Sequence, residues 1–239
     1  MRQKTRAIAI DGPSGAGKST VAKAVAKKLD FQYIDTGAMY RAVTLGVLRE
    51  GIPVDNEAAV TEKSCRCSIS LQEGIGGTLV FLDGEDVSEE IRGPEVTANV
   101  SAVCSYGGVR EAMVAQQRAM ADGGGVIMDG RDIGSHVLPN AMLKIFMTAS
   151  PEERGRRRHK EWQEKGISMS LEETIEDINR RDHLDSTRAL NPLCRTEDAI
   201  LLDTDGMSVD QVVAWIVRQW QQISGEEGAH GLSFHADHR

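Results

Sequence analysis

Apolar residues along this chain fall into two patterns. Short, mainly apolar blocks occupy residues 7–10, 31–34, 126–128, 143–147 and 199–202. Several are bounded by an acid or a glycine, as strands covered on both faces are. Between them apolar side chains return every three or four positions: Val21, Ala22, Val25, Ala26 and Leu29; Leu171, Ile175 and Ile178; Val209, Val212, Val213, Ile216, Val217 and Trp220. That spacing gives a helix one apolar stripe. Five strand blocks alternating with helical ones predict an α/β fold, a parallel sheet with helices on both faces.

The punctuation refines this outline. Thr36 reads as the N-cap of a helix that carries Tyr40 and Arg41 and ends near Gly51-Ile52-Pro53. From Cys67 the period changes to that of strands. Residues 68–71 and 79–82, separated by Gly74, Gly76 and Gly77, predict a small antiparallel unit inserted into the framework. Helices follow Gly93-Pro94 and run from about Arg110 to Met120. Ser150, Pro151 and Glu153 supply an N-cap, an N1 proline and a capping-box acid, and Ser170 with Glu173 repeats the box. From Ser224 the pattern fails. His230, His235 and His238 then belong to a mobile polar tail rather than a metal site. The expected organisation is one domain over residues 1–222, with a tail over 223–239.

Composition narrows the function. The net charge is −8 and aromatic residues make up 4%, which argues against nucleic acid and anionic membrane as partners. The apolar run after the basic N-terminus stops at Asp11, too short for a signal-peptide core, and no window is long enough to span a membrane. Cys65, Cys67, Cys104 and Cys194 form no C-x-x-C pair and read as idle thiols. A cytoplasmic location is expected.

Positive charge is local, and so is the chemistry. Gly12-Pro13-Ser14-Gly15-Ala16-Gly17-Lys18-Ser19-Thr20 follows the first strand block and opens the first helix. It fits the phosphate-binding pattern G-x-x-x-x-G-K-[ST] in its required strand-to-helix setting. Backbone N–H groups can surround phosphate oxygens where no Cβ intrudes, and the helix N-terminus adds partial positive charge. Lys18 would meet the β- and γ-phosphates, and Ser19 would offer its hydroxyl to Mg²⁺. Arg154, Arg157 and Arg158 share one helix face. They predict a basic lid over the triphosphate; the alternative is a solvated face paired with Glu161 and Glu164. The apolar stripe of the next helix continues to Arg181, Asp185 and Arg188, so a face that begins in the core ends in charge. Such a face looks into a cleft more often than it forms a structural ion cluster.

Hydrolysis fits poorly. Asp11, Asp83 and Asp129 are each followed by glycine and Asp203 by threonine, so no strand end offers a glutamate to orient water. The nearest string to a guanine motif, Asn179-Arg180-Arg181-Asp182, lacks the lysine. Phosphoryl transfer to a bound acceptor fits better. Three readings remain: a nucleotide kinase; another small P-loop kinase acting on shikimate, gluconate or dephospho-coenzyme A; and a noncatalytic nucleotide-sensing module.

Further strings carry a family resemblance: Asp35-Thr36-Gly37-Ala38-Met39-Tyr40-Arg41, Gly84-Glu85-Asp86-Val87-Ser88 with Ile91-Arg92, Asp129-Gly130-Arg131-Asp132-Ile133-Gly134, and Arg181-Asp182 with Asp185 and Arg188. With the phosphate loop, and in this order from about residue 6 to 222, the chain resembles the bacterial cytidylate kinases. The resemblance implies a P-loop nucleoside monophosphate kinase fold. Its parts would be a five-stranded parallel core, a monophosphate-binding region over about 36–120 with a three-stranded insertion at about 66–88, and a short helical lid at about 151–168. It implies ATP and Mg²⁺ acting on CMP and dCMP; a monomer is expected. Arg41, Arg131 and Arg188 would clamp the acceptor phosphate, with Thr36 and Tyr40 beside them. Arg181 and Asp185 would contact the sugar, and Ser101, Arg110 and Asp132 the cytosine. Lys18, Arg131, Arg188 and the lid arginines Arg154, Arg157 and Arg158 would carry catalysis. For Asp132 the competing expectation is a plain ion pair with Arg131.

Overall fold

The computed structural model describes residues 4–74, 77–164, 166 and 168–225. The tail beyond 225, with the three histidines, lies outside the described residues.

Strand β1 (Thr5–Asp11) is central in a five-stranded sheet. Its partners are β6 (Val126–Gly130) and β7 (Ala141–Thr148), with β2 (Gln32–Asp35) beyond β6 and β8 (Ile200–Asp203) beyond β7. All four pairings are parallel. The continuous apolar blocks follow from burial on both faces. Alternate residues of β1 separate cleanly: Ala7 and Ala9 join one core, Ile8 and Ile10 the other. The second core is closed by α1 (Lys18–Leu29) and α8 (Val209–Ser224), whose Val212, Val213, Ile216 and Trp220 all lie buried in it. The first is closed by α2 (Thr36–Arg49), α3 (Glu57–Arg66), α4 (Pro94–Val103) and α5 (Gly107–Met120).

The insertion is a three-stranded antiparallel sheet of β3 (Ile69–Gly74), β4 (Gly77–Leu82) and β5 (Glu85–Asp86). Ile69, Val80 and Leu82 enter the same core as α2, so the insertion shares the main hydrophobic interior. Arg49, in the last turn of α2, also pairs with Glu85 of β5 and with Glu90 just after it.

Several local expectations need correction. Asp35, not Thr36, caps α2, its carboxylate accepting from the Ala38 N–H at 2.8 Å. Helix α5 begins three residues before Arg110, and α3 had no counterpart in the sequence reading. Of the expected box at Ser150 only half forms. Its Oγ accepts from the Glu153 N–H, while Glu153 turns to Arg157 and the Ser150 N–H donates to Asp205. The box at Ser170 and Glu173 is complete.

Helices α6 (Pro151–Glu164) and α7 (Leu171–Thr187) stand against each other beyond the sheet's carboxyl edge. They approach so closely at Gly155 that a Cβ there would lie 2.3 Å from Ile175 Cγ1. Open parallel sheets place their loops and ligand crevice at this edge. Both the phosphate loop and the end of β6 lie there.

Trp220 is fully buried and meets the Phe31 ring edge-on at 5.0 Å. Trp220→Ala should therefore cost about 3–5 kcal/mol of stability. Urea unfolding measures it; a loss under about 1 kcal/mol would mean the α1/α8 core closes without the indole.

Candidate active site

The loop after β1 is shaped by contacts only glycine permits. Gly12 has φ 151° and lies so near β7 that a Cβ would sit 2.0 Å from the Met147 carbonyl oxygen. Gly15 and Gly17 also have positive φ, at 75° and 86°. Lys18 opens α1 but folds back, its Nζ donating to the Gly12 and Pro13 carbonyls at 2.8 and 2.7 Å. The first turn of α1 contains no acid, so no residue of the helix itself offsets the partial positive charge that its N-terminus turns toward the loop. Burial, followed by the nearby Arg131, pushes the Lys18 ammonium below the ordinary lysine value, against the opposing pull of Asp129 and Asp11. An anion in the loop would relieve that loss. Thr20, the last residue of the motif, is exposed on α1.

Beside the loop is a carboxylate to which the sequence assigns no site role. Asp129, buried near the end of β6, accepts from Ser19 Oγ at 2.8 Å and from the Tyr33 hydroxyl at 2.6 Å. Asp35 lies opposite it in register on β2. Burial and the Asp35 charge both raise the Asp129 carboxyl above its ordinary value. Two carboxylates and a hydroxyl are hard oxygen donors, the set Mg²⁺ uses together with substrate phosphates. No group of three or more acid, histidine or cysteine side chains among the described residues forms an all-protein metal cage. The signal in the sequence is an aspartate ending a strand that neighbours β1; the glycine after it bears on hydrolysis and not on metal binding. Thr36, expected at the acceptor, donates its hydroxyl to the Asp129 carbonyl at 2.7 Å.

Next along the chain, Asp132 begins a cluster of charges. Asp11 accepts from the Ile133 and Gly134 N–H groups at 2.8 and 2.7 Å, which ties this turn to the root of the phosphate loop. Asp132 pairs with Arg110 at 2.5 Å and lies 3.7 Å from Arg188, with both Arg110 and Asp132 buried. The competing expectation of an Asp132–Arg131 pair is not met. Arg131 instead donates to Asp185 at 2.7 Å. Arg110 stacks 5.4 Å from the Tyr40 ring centroid. The Tyr40 hydroxyl, Arg110 Nε and Arg41 Nε are buried without hydrogen-bond partners. Buried polar atoms normally have partners, so a cleft holding three such atoms is one prepared for a polar ligand.

The expected face of α7 is only partly right. Arg188 is not on the helix: it is the C-cap, with extended backbone, and its guanidinium donates to the Asn191 carbonyl while lying 3.5 Å from Asp185. Arg181 pairs with Asp177, one turn back. Burial lowers both guanidinium values, and neighbouring cations add to it: Arg110 for Arg188, and Arg158, Arg180 and Arg131 for Arg181. Crowded cations of this kind favour an anionic ligand. Arg41 lies 3.7 Å from Asp35. Ser101 is exposed on α4.

The α6 arginines divide. Arg154 is buried, donating from Nε to the Ala149 carbonyl at 3.0 Å and from Nη1 to the Ser14 carbonyl at 2.9 Å, and pairs with Asp182. Arg157 reaches the Ala16 carbonyl at 3.3 Å and Thr204 at 3.0 Å. Arg158 pairs with Glu161 and lies over Trp162. Asp182, unassigned from sequence, accepts from the Ser14 N–H at 2.9 Å.

A family model described as cytidylate kinase matches residues 8–222. The cytidylate kinase of Desulforamulus reducens is 56% identical over 212 residues, covering 89% of this chain and 95% of that protein. Those of Lysinibacillus sphaericus and Bacillus thuringiensis are each 53% identical, covering 90% of this chain and 96% and 95% of their own lengths.

Burial raises the Asp11 carboxyl from 3.8 to about 6 despite its two backbone hydrogen bonds. Between those values the native state holds a proton that the unfolded chain has released, so this group's contribution falls as pH rises through the window and is level above it. Asp11→Asn should therefore improve relative to the parent by up to about 3 kcal/mol from pH ~4 to ~7. Urea unfolding at both pH values checks this; a constant difference would show that Asp11 does not titrate in that range.

Proposed function

The chain belongs to the cytidylate kinase family, and from that premise we propose that it transfers the γ-phosphoryl group of ATP to CMP and dCMP, giving CDP and dCDP. The observation that carries this reading is the buried Arg110–Asp132 pair beside the partnerless Tyr40 hydroxyl, one strand from the phosphate loop. Cytosine offers an N4 amino donor where uracil offers an acceptor, and a carboxylate accepts from the first and repels the second. Asp132 would take that donor, with Arg110 on the neighbouring acceptor edge and Ser101 of α4 as a further base contact. Arg181 and Asp185 would hold the sugar, and Arg41, Arg131 and Arg188 the acceptor phosphate.

The chemistry needs no covalent intermediate. Two anions must meet end to end, so the protein's task is to offset repulsion and stabilise charge spread over the moving phosphoryl group. Lys18 and Arg131 would meet the two phosphates at the junction between them, Arg131 being near enough to help lower the Lys18 ammonium. Lys18 can exchange its two loop carbonyls for phosphate oxygens, and Arg131 can exchange Asp185 for the acceptor phosphate. Mg²⁺, for which Ser19, Asp129 and Asp35 provide fitting donors, would neutralise phosphate charge when bound. Arg157 and Arg158 would close over the triphosphate and exclude water. The working unit is a cytoplasmic monomer in this reading. Among the described residues no helix is long and apolar enough to cross a membrane.

A coupled assay with ATP, Mg²⁺ and CMP, dCMP, UMP, shikimate, gluconate and dephospho-coenzyme A tests the assignment. CMP and dCMP should be the preferred acceptors; preference for a non-nucleotide would overturn it. Asp132→Asn should lower kcat/KM for CMP by about 1–3 kcal/mol of transition-state binding and narrow the CMP-to-UMP ratio. An unchanged ratio in a folded variant would place base selection elsewhere. Lys18→Met should fold like the parent yet lose most turnover, and near-parental kcat would remove Lys18 from the mechanism.

A further inference from the structure

Phosphate loops work by pointing amides inward, and in a trans peptide the C=O points opposite to the N–H that follows it. Whatever holds the carbonyls of residues 12–16 therefore aims the amides. Lys18 holds Gly12 and Pro13 from one side. The N–H of the Pro13–Ser14 peptide points the other way and is held by Asp182 Oδ1 at 2.9 Å. That peptide is clamped between an ammonium and a carboxylate. The next peptide is clamped too. Its Ser14 carbonyl accepts from Arg154 Nη1 at 2.9 Å, which turns the Gly15 N–H away from α6. Among the described residues no protein acceptor meets that Gly15 N–H. Arg154 is in turn paired with Asp182 through its other carboxylate oxygen. Both backbone polar groups of Ser14 thus end on one side-chain pair, drawn from α6 and α7. Gly15 itself packs on that base, where a Cβ would lie 3.0 Å from the Arg154 carbonyl and 3.3 Å from Ile178 Cδ1.

We propose that Asp182 is a positioning residue for the triphosphate: through the Ser14 N–H and through Arg154 it sets the two peptide planes that aim the Gly15 amide into the phosphate cradle. An acid so near an anion-binding loop would otherwise oppose nucleotide binding. Here its charge is compensated by Arg154, and its effect on the ligand is exerted through geometry. The arrangement also ties the bases of α6 and α7 to the loop, so any closure of this helical pair turns about a fixed point beside the phosphates. Sequence spacing gave Asp182 no role, because its partners lie 168 and 28 positions away.

This inference rests on the loop being the ATP site. Its test is calorimetric titration of ATP with Mg²⁺ and no acceptor, for the parent, Asp182→Asn and Asp182→Ala, alongside Tm and the KM values of ATP and CMP. Asp182→Ala should weaken ATP binding about tenfold while the CMP KM stays within about twofold, since Arg131 is held by Asp185 instead. Asp182→Asn should lose less, because its amide oxygen can still accept from Ser14. Arg154→Met added to Asp182→Ala should weaken ATP binding little further, both acting through one peptide. Folded variants that bind ATP like the parent, or that lose only Tm, overturn the proposal; so does full additivity of the pair. A parent that fails to bind ATP overturns the reading of the loop itself, an outcome the parent titration alone identifies.

Discussion

A peptide group is a dipole, and a loop can turn several N–H groups toward one point only if the matching carbonyls are taken up elsewhere. In this protein that uptake is done by cations. Lys18 holds the Gly12 and Pro13 carbonyls, Arg154 that of Ser14, and Arg157 that of Ala16. Three of the loop's six leading residues are glycines at positive φ, which lets the chain bend sharply enough for this to happen. The sheet supplies the platform: Gly12 lies against Met147 with no room for a side chain, so the loop leaves β1 in one direction only. Much else at this edge follows from that direction, including the nearness of Asp129 on β6 and of α6 and α7 above.

The second organising constraint is charge. A chain of net charge −8 carries a set of arginines, Arg41, Arg110, Arg131, Arg181 and Arg188, at the end of the cleft proposed for the acceptor. Cations so close would repel in the absence of a ligand, and aspartates temper this: Asp132 lies against Arg110, Asp185 against Arg131 and Arg188, Asp177 against Arg181. Compensation is incomplete, since burial and like charge still lower the Arg181 and Arg188 values. The residual imbalance is what a phosphate-bearing acceptor would relieve.

Local signals made the strands, the phosphate loop and most helices legible. Each depends on neighbours in sequence: apolar period, glycine spacing, a serine three residues before an acid. Local signals failed where a side chain had several partners within reach. Glu153 left its cap for Arg157, and Thr36 ceded the cap to Asp35 while bonding to Asp129. The helical period places Arg181, Asp185 and Arg188 on one face, but the helix ends at Thr187 and Arg188 reaches Asp185 from an extended cap.

By itself, then, the sequence determined the α/β alternation and the phosphate loop, because backbone propensity and side-chain period act over a few residues; the residues at the cleft were named by the ordered strings shared with the cytidylate kinases. Tertiary structure decided which acid meets which base. Asp129 was brought to Ser19 by the placement of β6 between β1 and β2, and Asp182 to Ser14 by the packing of α7 on the loop. Whether a charged side chain is a solvated surface group, a ligand contact or a brace depends on desolvation and on partners a hundred or more positions distant. Arg154 and Arg158, four residues apart on one helix, show the difference: one is buried under the loop and the other pairs with its neighbour Glu161.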